Sequence, residues 1–101
     1  MRCIATLLLT LTAAGAPRWE SQLREGDIIF HASRSSQSRA IQLATRSPYS
    51  HMGILYREHN RWFVYEAVQP VKLTPLSDWI ARGRDGHFVV KRLRDTRLLT
   101  P

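Results

Sequence analysis

The sequence is nearly free of cysteine, since Cys3 is the only one among 101 residues. Because Cys3 lies in the first apolar run, residues 17–101 have no thiol for a disulfide, a metal site or nucleophilic catalysis. A glycine-rich loop for phosphate groups is also missing. The histidines lack the spacing of a metal-binding motif (His31, His51, His59 and His87). We therefore expect neither a cofactor nor a metal ion.

A hydrophobic run long enough to span a membrane is missing as well. The longest apolar stretch covers about ten residues near the N-terminus, too few to cross a bilayer. Arg2 precedes this stretch and small residues end it, an order typical of a secretory signal peptide. We interpret residues 1–16 as this signal, with cleavage after Ala14 favoured over Ala16 because Pro17 follows. The expected destination is the periplasm or the extracellular space; an uncleaved helix, buried or at a membrane interface, is the alternative.

Acidic residues are scarce: the chain has 8 Asp and Glu against 15 Lys and Arg, a net charge of +7. Such a balance favours anionic partners, among them nucleic acid, anionic lipid and anionic polymers. The basic residues are scattered, however, without the clusters and interleaved aromatics of nucleic-acid-binding proteins. This scattered distribution argues against nucleic acid as the partner. The net charge is compatible with contact with the envelope surface and also with a simple solvated surface. It does not indicate an oligomeric state.

A chain of this length forms one domain at most, and its hydrophobic pattern is mixed. Short β-branched and aromatic runs predict strands, and segments with one apolar face predict helices. Together they predict an α+β fold, a small antiparallel sheet with helices packed on one side. The predicted elements are a strand at 27–31, a helix at 37–46 capped by Ser35 or Ser36, a central hairpin, a helix from the N-cap Thr74 to Gly83, and a strand at 87–93.

The central hairpin holds the candidate site. Two strand-like runs at 49–56 and 61–66 flank the polar loop 57–60. If this loop has four residues, His51 lies directly opposite Glu66, with Cβ atoms roughly 5 Å apart. A carboxylate beside an imidazole fixes its tautomer and supports its use as a general base. A purely structural pair is the alternative, and a slip of one residue would place the two side chains on opposite faces.

Several stretches resemble the YiiX-like permuted papain-like hydrolases, a branch of the NlpC-type amidohydrolase superfamily that also includes lecithin retinol acyltransferase. The similar segments read Leu-Arg-Glu-Gly-Asp-Ile-Ile-Phe from residue 23, Ser-Arg-Ser-Ser-Gln-Ser from 33, Ala-Ile-Gln-Leu-Ala-Thr from 40, Tyr-Ser-His-Met-Gly-Ile from 49 and Tyr-Glu-Ala-Val-Gln-Pro-Val from 65. The resemblance runs from about residue 23 to 93. It implies a cysteine amidase or peptidase that acts on cell-wall peptides or lipid-like amides.

In that family the catalytic His comes first, a polar partner follows on the next strand, and the nucleophilic Cys comes last. The resemblance therefore implies that His51 is the base and Glu66 its partner, with the cysteine beyond residue 93, where this sequence has none. We interpret residues 17–101 as a partial, truncated hydrolase domain that is inactive alone, with an incomplete permuted papain-like fold. Ser50 or Ser33 would be a substitute nucleophile without motif support. A non-catalytic envelope ligand-binding domain and a gene fragment without function are the alternatives.

Overall fold

The computed structural model describes residues 17–68, 70–95 and 97. The predicted signal peptide lies outside the described residues. After a short 3-10 helix, Arg18–Gln22, the elements are β1 Ile28–His31, α1 Ser38–Thr45, β2 His51–Glu58, β3 Arg61–Glu66, β4 Lys72–Pro75, α2 Leu76–Arg82 and β5 Val89–Lys91. The strands form one antiparallel sheet in the order β4-β3-β2-β1-β5. The predicted α+β class is confirmed.

The core lies between α2 and one face of the sheet. Leu76 and Trp79 of α2 are buried together with Ile29, Leu55 and Val64 of the three central strands. Alternate residues of a strand point to the same face, so these three strand residues form one apolar layer under the helix. Among the described residues, no helix is long and apolar enough to cross a membrane.

The hairpin between β2 and β3 is tighter than predicted. Its turn consists of His59 and Asn60, whose φ angles are 52° and 63°, and Glu58 pairs with Arg61. Two residues with positive φ form the turn that matches the twist of adjacent strands, and Asn tolerates this conformation well. The predicted four-residue loop is therefore wrong, and the pairing is shifted by two residues. An even shift leaves every side chain on its predicted face.

Helix starts also differ from the predictions. Thr74 is not an N-cap: it lies in β4, and α2 begins at Leu76 after Pro75. Pro75 supplies the extended φ and ψ of a residue that precedes a helix, which frees the Thr74 side chain for another contact. Likewise, neither Ser35 nor Ser36 caps α1; Gln37 is its N-cap residue and makes no side-chain capping hydrogen bond.

Asp27 joins the two ends of the described chain. Its buried carboxylate binds the Arg92 side chain through two hydrogen bonds of 2.7 and 2.8 Å, one to each oxygen, and also accepts from the Arg24 backbone N–H. The Arg92 guanidinium lowers the pKa of Asp27, against the opposing effect of burial. The turn before β1 is thereby attached to the segment that follows β5.

Candidate active site

The structure brings His51 and Glu66 together. His51 is the first residue of β2 and Glu66 the last of β3, and His51 Nε2 lies 2.9 Å from Glu66 Oε1. The Glu66 side chain is fully buried, whereas 23% of the His51 side chain is exposed. The pair therefore has one end in the protein interior and the other at the surface.

The contact is diagonal across the hairpin. Gly53, and not His51, is the residue directly opposite Glu66, which corrects the predicted register. A Cβ atom at Gly53 would overlap the Val64 side chain and lie 2.8 Å from the Tyr65 carbonyl oxygen. The sheet has room only for glycine at this position. Diagonal neighbours in a sheet lie within reach of long side chains, so the predicted pair forms despite the different register.

Two further side chains hold Glu66 in place. Nη2 of Arg82 donates to both carboxylate oxygens at 2.5 and 2.6 Å, and the Thr74 hydroxyl donates to Oε2. Burial raises the pKa of Glu66, but the hydrogen bonds from Arg82, Thr74 and His51 outweigh it and lower the pKa to about 2. Glu66 is therefore a carboxylate at neutral pH.

The sequence did not assign Arg82 or Thr74 to the site; it indicated only that Thr74 was a helix cap. Both are far from Glu66 in the chain, and only the folding of β4 and α2 against β3 brings them close. A weak signal did exist. A glutamate at the end of an apolar strand needs a cationic partner if it is buried, because an unpaired buried charge is very costly.

The ionised Glu66 determines the tautomer of His51. A carboxylate only accepts hydrogen bonds, so Nε2 of His51 carries the proton that is donated to Glu66. Nδ1 then has a free lone pair and is the nitrogen that can take a proton from a reacting group. This arrangement is that of a general base with its orienting partner.

His31 lies beside the pair and is more than the strand-end residue that the sequence indicated. It is 1% exposed, its ring stacks on Trp79 at 3.8 Å between centroids, and it lies 5.5 Å from the His51 ring. Burial, reinforced by the electrostatic effects of the neighbouring His51 and Arg82, lowers the pKa of His31 to about 4. The His31 ring is therefore neutral at pH 7 and is an uncharged neighbour of the base.

A cavity of about 680 Å³ opens next to the pair. It is lined by His51, His31, Arg82, Arg34, Ser33 and Ser50, among other residues. The Ser50 hydroxyl oxygen accepts hydrogen bonds from the Ser33 N–H at 2.8 Å and the Ser38 hydroxyl at 2.7 Å. In the described part of the chain, the hydrogen bonds of the Ser50 side chain connect it to Ser33 and Ser38 and not to His51. Ser50 therefore does not have the contact with the base that a nucleophile needs.

The other two histidines lie away from the pair. His87 Nε2 is 3.3 Å from the Tyr49 hydroxyl, and the exposed His59 is part of the hairpin turn. Among residues 17–68, 70–95 and 97, no three His, Cys, Asp or Glu side chains come close enough together to bind a metal ion.

The chain matches known proteins along most of its length. Residues 22–100 match the model of a family described as permuted papain-like amidase enzymes, YaeF/YiiX, C92 family. The chain is also 51% identical over 87 residues to the uncharacterized protein YiiX of Escherichia coli strain K12. This match covers 86% of the chain and 43% of YiiX.

A solved structure is similar as well. It is the crystal structure of the metalloprotein yiiX from Escherichia coli O157:H7, with a TM-score of 0.70 and 57% sequence identity. The similarity covers 72% of this chain and 41% of that one. The chain thus spans less than half the length of the relatives that it matches.

Proposed function

Since this chain belongs to the family of permuted papain-like amidases, YaeF/YiiX, C92, we propose that it carries the base half of a cysteine amidase site. The family membership confirms the resemblance seen in the sequence. The observation that carries the proposal is the 2.9 Å contact between His51 and Glu66 at the edge of an open cavity. His51 has the role of general base, and Glu66, Arg82 and Thr74 are positioning residues.

The reaction follows from these roles. Nδ1 of His51 takes the proton of a cysteine thiol, and the thiolate attacks the carbonyl carbon of an amide. The protonated His51 then gives its proton to the leaving amine as the C–N bond breaks. Water hydrolyses the resulting thioester, again with His51 as base. Glu66 stabilises the imidazolium at each protonated stage, because its carboxylate stays ionised.

The cysteine must come from outside the described residues. The resemblance places it after residue 93, and the sequence has no cysteine after Cys3. We therefore expect residues 17–101 alone to give no covalent turnover. Loss of a catalytic nucleophile can cost about six orders of magnitude in kcat.

We further propose that the substrate is a peptide, cell-wall or lipid-like amide of the cell envelope. Two features support this choice. The N-terminal sequence pattern is that of an exported protein, and the cavity is large enough for an extended substrate segment. The basic net charge is compatible with contact with an anionic envelope surface.

The yiiX protein of Escherichia coli O157:H7 is described as a metalloprotein, and the residues described in this chain do not fit a metal site. They contain no cluster of three ligand side chains. Nε2 of His51 and the carboxylate of Glu66 bind each other, and the Arg82 guanidinium occupies both oxygens of Glu66. A metal ion would have to displace a cation that is already paired. The proposed reaction therefore has no step through a metal.

A chimaera tests the proposed function. Residues 22–100 replace the matching part of YiiX, so that the remainder of the relative completes the domain. We expect its reactive cysteine to be alkylated by a low concentration of an iodoacetamide probe. We expect His51→Ala to reduce alkylation strongly and to lower amide hydrolysis by about six orders of magnitude.

The matched control is His59→Ala, which changes an exposed histidine of the hairpin turn. It should leave both rates unchanged. A chimaera whose His51→Ala variant hydrolyses amides as fast as the parent would refute the role of His51 as base. A chimaera without any reactive thiol would refute the cysteine amidase assignment itself.

Non-catalytic ligand binding is the second candidate, and the cavity lining favours it. Arg34 and Arg82 lie among hydroxyl groups there, and none of the described lining residues is acidic. Calorimetry of the chain with a soluble anionic cell-wall peptide tests this function. Saturable binding without turnover, weakened by Arg34→Ala and not by Arg39→Ala on the exposed side of α1, would support it.

A further inference from the structure

His31 and His51 are direct partners across two strands of the sheet. The antiparallel register of β1 and β2 places His31 opposite His51. The backbone N–H of Ser50, one residue before β2, donates to the His31 carbonyl oxygen at 3.1 Å and closes this end of the strand pair. Residues directly opposite each other have Cβ atoms roughly 5 Å apart and point to the same face. The sheet itself therefore makes the two imidazole rings neighbours, 5.5 Å apart between centroids.

The His31 ring is also held by the C-terminal end of α2 and the residue that follows it. The Trp79 ring stacks on it, with an angle of 22° between the two planes. A Cβ atom at Gly83 would lie 2.9 Å from Nδ1 of His31 and 3.0 Å from its Cβ and Cγ atoms, so a glycine is needed here to leave room for the ring. Nδ1 makes no hydrogen bond within the described residues, so packing fixes this side of the ring.

Backbone contacts keep Gly83 against His31. Gly83 pairs with Ser33 in an isolated β-bridge, and the Arg84 N–H donates to the Ala32 carbonyl oxygen at 2.8 Å. The φ angle of Gly83 is −74°, a value that any residue adopts. Glycine is therefore required at this position for space and not for backbone conformation, and the group that needs the space is the His31 ring.

A general base works well only when its ring is fixed at more than one point. Glu66 holds the tip of the His51 ring through Nε2, and a single hydrogen bond leaves the ring free to tilt about that contact. A catalytic side chain has to stay within about 0.5 Å and 10–20° of its productive geometry. The His31 ring supplies a second neighbour, and because it is uncharged at neutral pH it does not repel the protonated His51.

We propose that His31 is a positioning residue of the base. Its ring, held by the end of α2, keeps the His51 ring oriented for proton transfer at Nδ1. The proposal rests on the role of His51 as general base proposed above. The same end of α2 supplies Arg82 to Glu66, so one short helix positions the two neighbours of His51.

Proton exchange in the full chain tests this positioning without any catalysis. Nuclear magnetic resonance with isotopically labelled histidine measures how fast the Nε2 proton of His51 exchanges with water. His31→Ala and Gly83→Ala should each raise this rate about tenfold or more, the first by removing the neighbouring ring and the second by displacing it. His31→Phe, which keeps a flat uncharged ring, should leave the rate within about twofold of the parent. The matched control is His87→Ala, which removes an exposed histidine and should not change the rate.

A double variant shows whether the effect of Gly83 passes through His31. In the His31→Ala background, Gly83→Ala should raise the exchange rate by less than about twofold, because its Cβ has no ring to displace. Gly83→Ala leaves every side chain of β1 unchanged, so it gives the same test if His31→Ala does not fold.

Kinetics of the chimaera measure the consequence for catalysis. His31→Ala should lower kcat by about a hundredfold, the cost of a misplaced catalytic group, and leave KM unchanged. His31→Phe should restore most of the lost kcat, and His87→Ala should change neither constant. A role in folding alone would lower the amount of active protein and would not accelerate proton exchange at His51 in the folded chain.

Four results would overturn the proposal: the parent exchange rate in His31→Ala or Gly83→Ala; no recovery in His31→Phe; the full effect of Gly83→Ala in the His31→Ala background; or an active chimaera whose kcat is unchanged by His31→Ala. None of them touches the amidase proposal, since His51 could act as base without this neighbour. Conversely, a chimaera without amide hydrolysis would refute only the amidase proposal if the exchange rates follow the expected order.

Discussion

At the level of single residues, a buried carboxylate keeps its charge only where cations and hydrogen-bond donors surround it. Glu66 has Arg82, Thr74 and His51 as such partners. Two strands, β2 and β4, and the helix α2 thus contribute partners to one carboxylate of β3. The stability of this end of the hairpin therefore depends on the same contacts that orient the proposed base, His51.

The acid stability of the protein should depend on Glu66. Its pKa in the folded state is about 2, below the ordinary value of 4.5, so the unfolded chain takes up this proton first as the pH falls. The stabilisation is fully present above about pH 4.5 and is lost as the pH falls towards 2. Urea titrations at several pH values measure it. Glu66→Gln should flatten the dependence in this window relative to the control Glu58→Gln, and an unchanged slope would contradict the burial of a charged Glu66.

Protonation of His31 should cause a second loss of stability on acidification, in a pH range above that of Glu66. Its pKa falls from 6.5 to about 4 on folding, so the unfolded chain binds more protons between these values and stability decreases as the pH drops from 6.5 to about 4. His31→Phe keeps an aromatic ring against Trp79 and removes the titrating group. It should flatten this part of the curve, whereas His59→Asn should not. Equal slopes for the parent and His31→Phe would show that His31 is not held neutral.

At the level of elements, the two-residue turn determines the register of the hairpin. His59 and Asn60 both have positive φ, a conformation that costs a β-branched residue about 1–2 kcal/mol. Asn60→Val should therefore lower the free energy of unfolding by about that amount. Asn60→Gly should be neutral or stabilising.

The control for the turn is Arg61→Val, one residue further along. Arg61 is in β3, where a β-branched residue is favoured. Guanidinium titrations followed by circular dichroism compare the variants. A loss of stability in Arg61→Val as large as in Asn60→Val would show that side-chain loss, and not backbone conformation, accounts for the effect.

At the level of the whole molecule, we propose that the chain is exported and loses residues 1–14. The order of Arg2, an apolar run and small residues is the reason. Mass spectrometry of the protein from the envelope fraction should show a chain without Met1 or Cys3. Leu8→Arg, which places a charge in the apolar run, should keep the full-length chain in the cytoplasm, whereas Arg39→Ala in α1 should not. An intact Met1 on the exported parent would contradict cleavage.

Sequence patterns could predict some features of the whole fold and not others. Four strands (β1, β2, β3 and β5), the two helices and the α+β class followed from hydrophobic periodicity and from Pro and Gly at their ends, which act over a few residues. The partnership of His51 and Glu66 also followed, because strand alternation places both on one face. The predicted register was wrong by two residues, since the preference of His59 and Asn60 for a tight turn was not recognised.

By itself, the sequence determined the family, the candidate base and its partner, because these depend on local patterns and motifs. Tertiary structure alone decided what surrounds them. Thr74 is a hydrogen-bond donor to Glu66 and not a helix cap, Arg82 is its counter-ion, and His31 is a neutral neighbour of the base. Each of these roles depends on burial and on distances between residues that are remote in the chain. Such distances are fixed only when β4 and α2 fold against the hairpin, so no local pattern contains them.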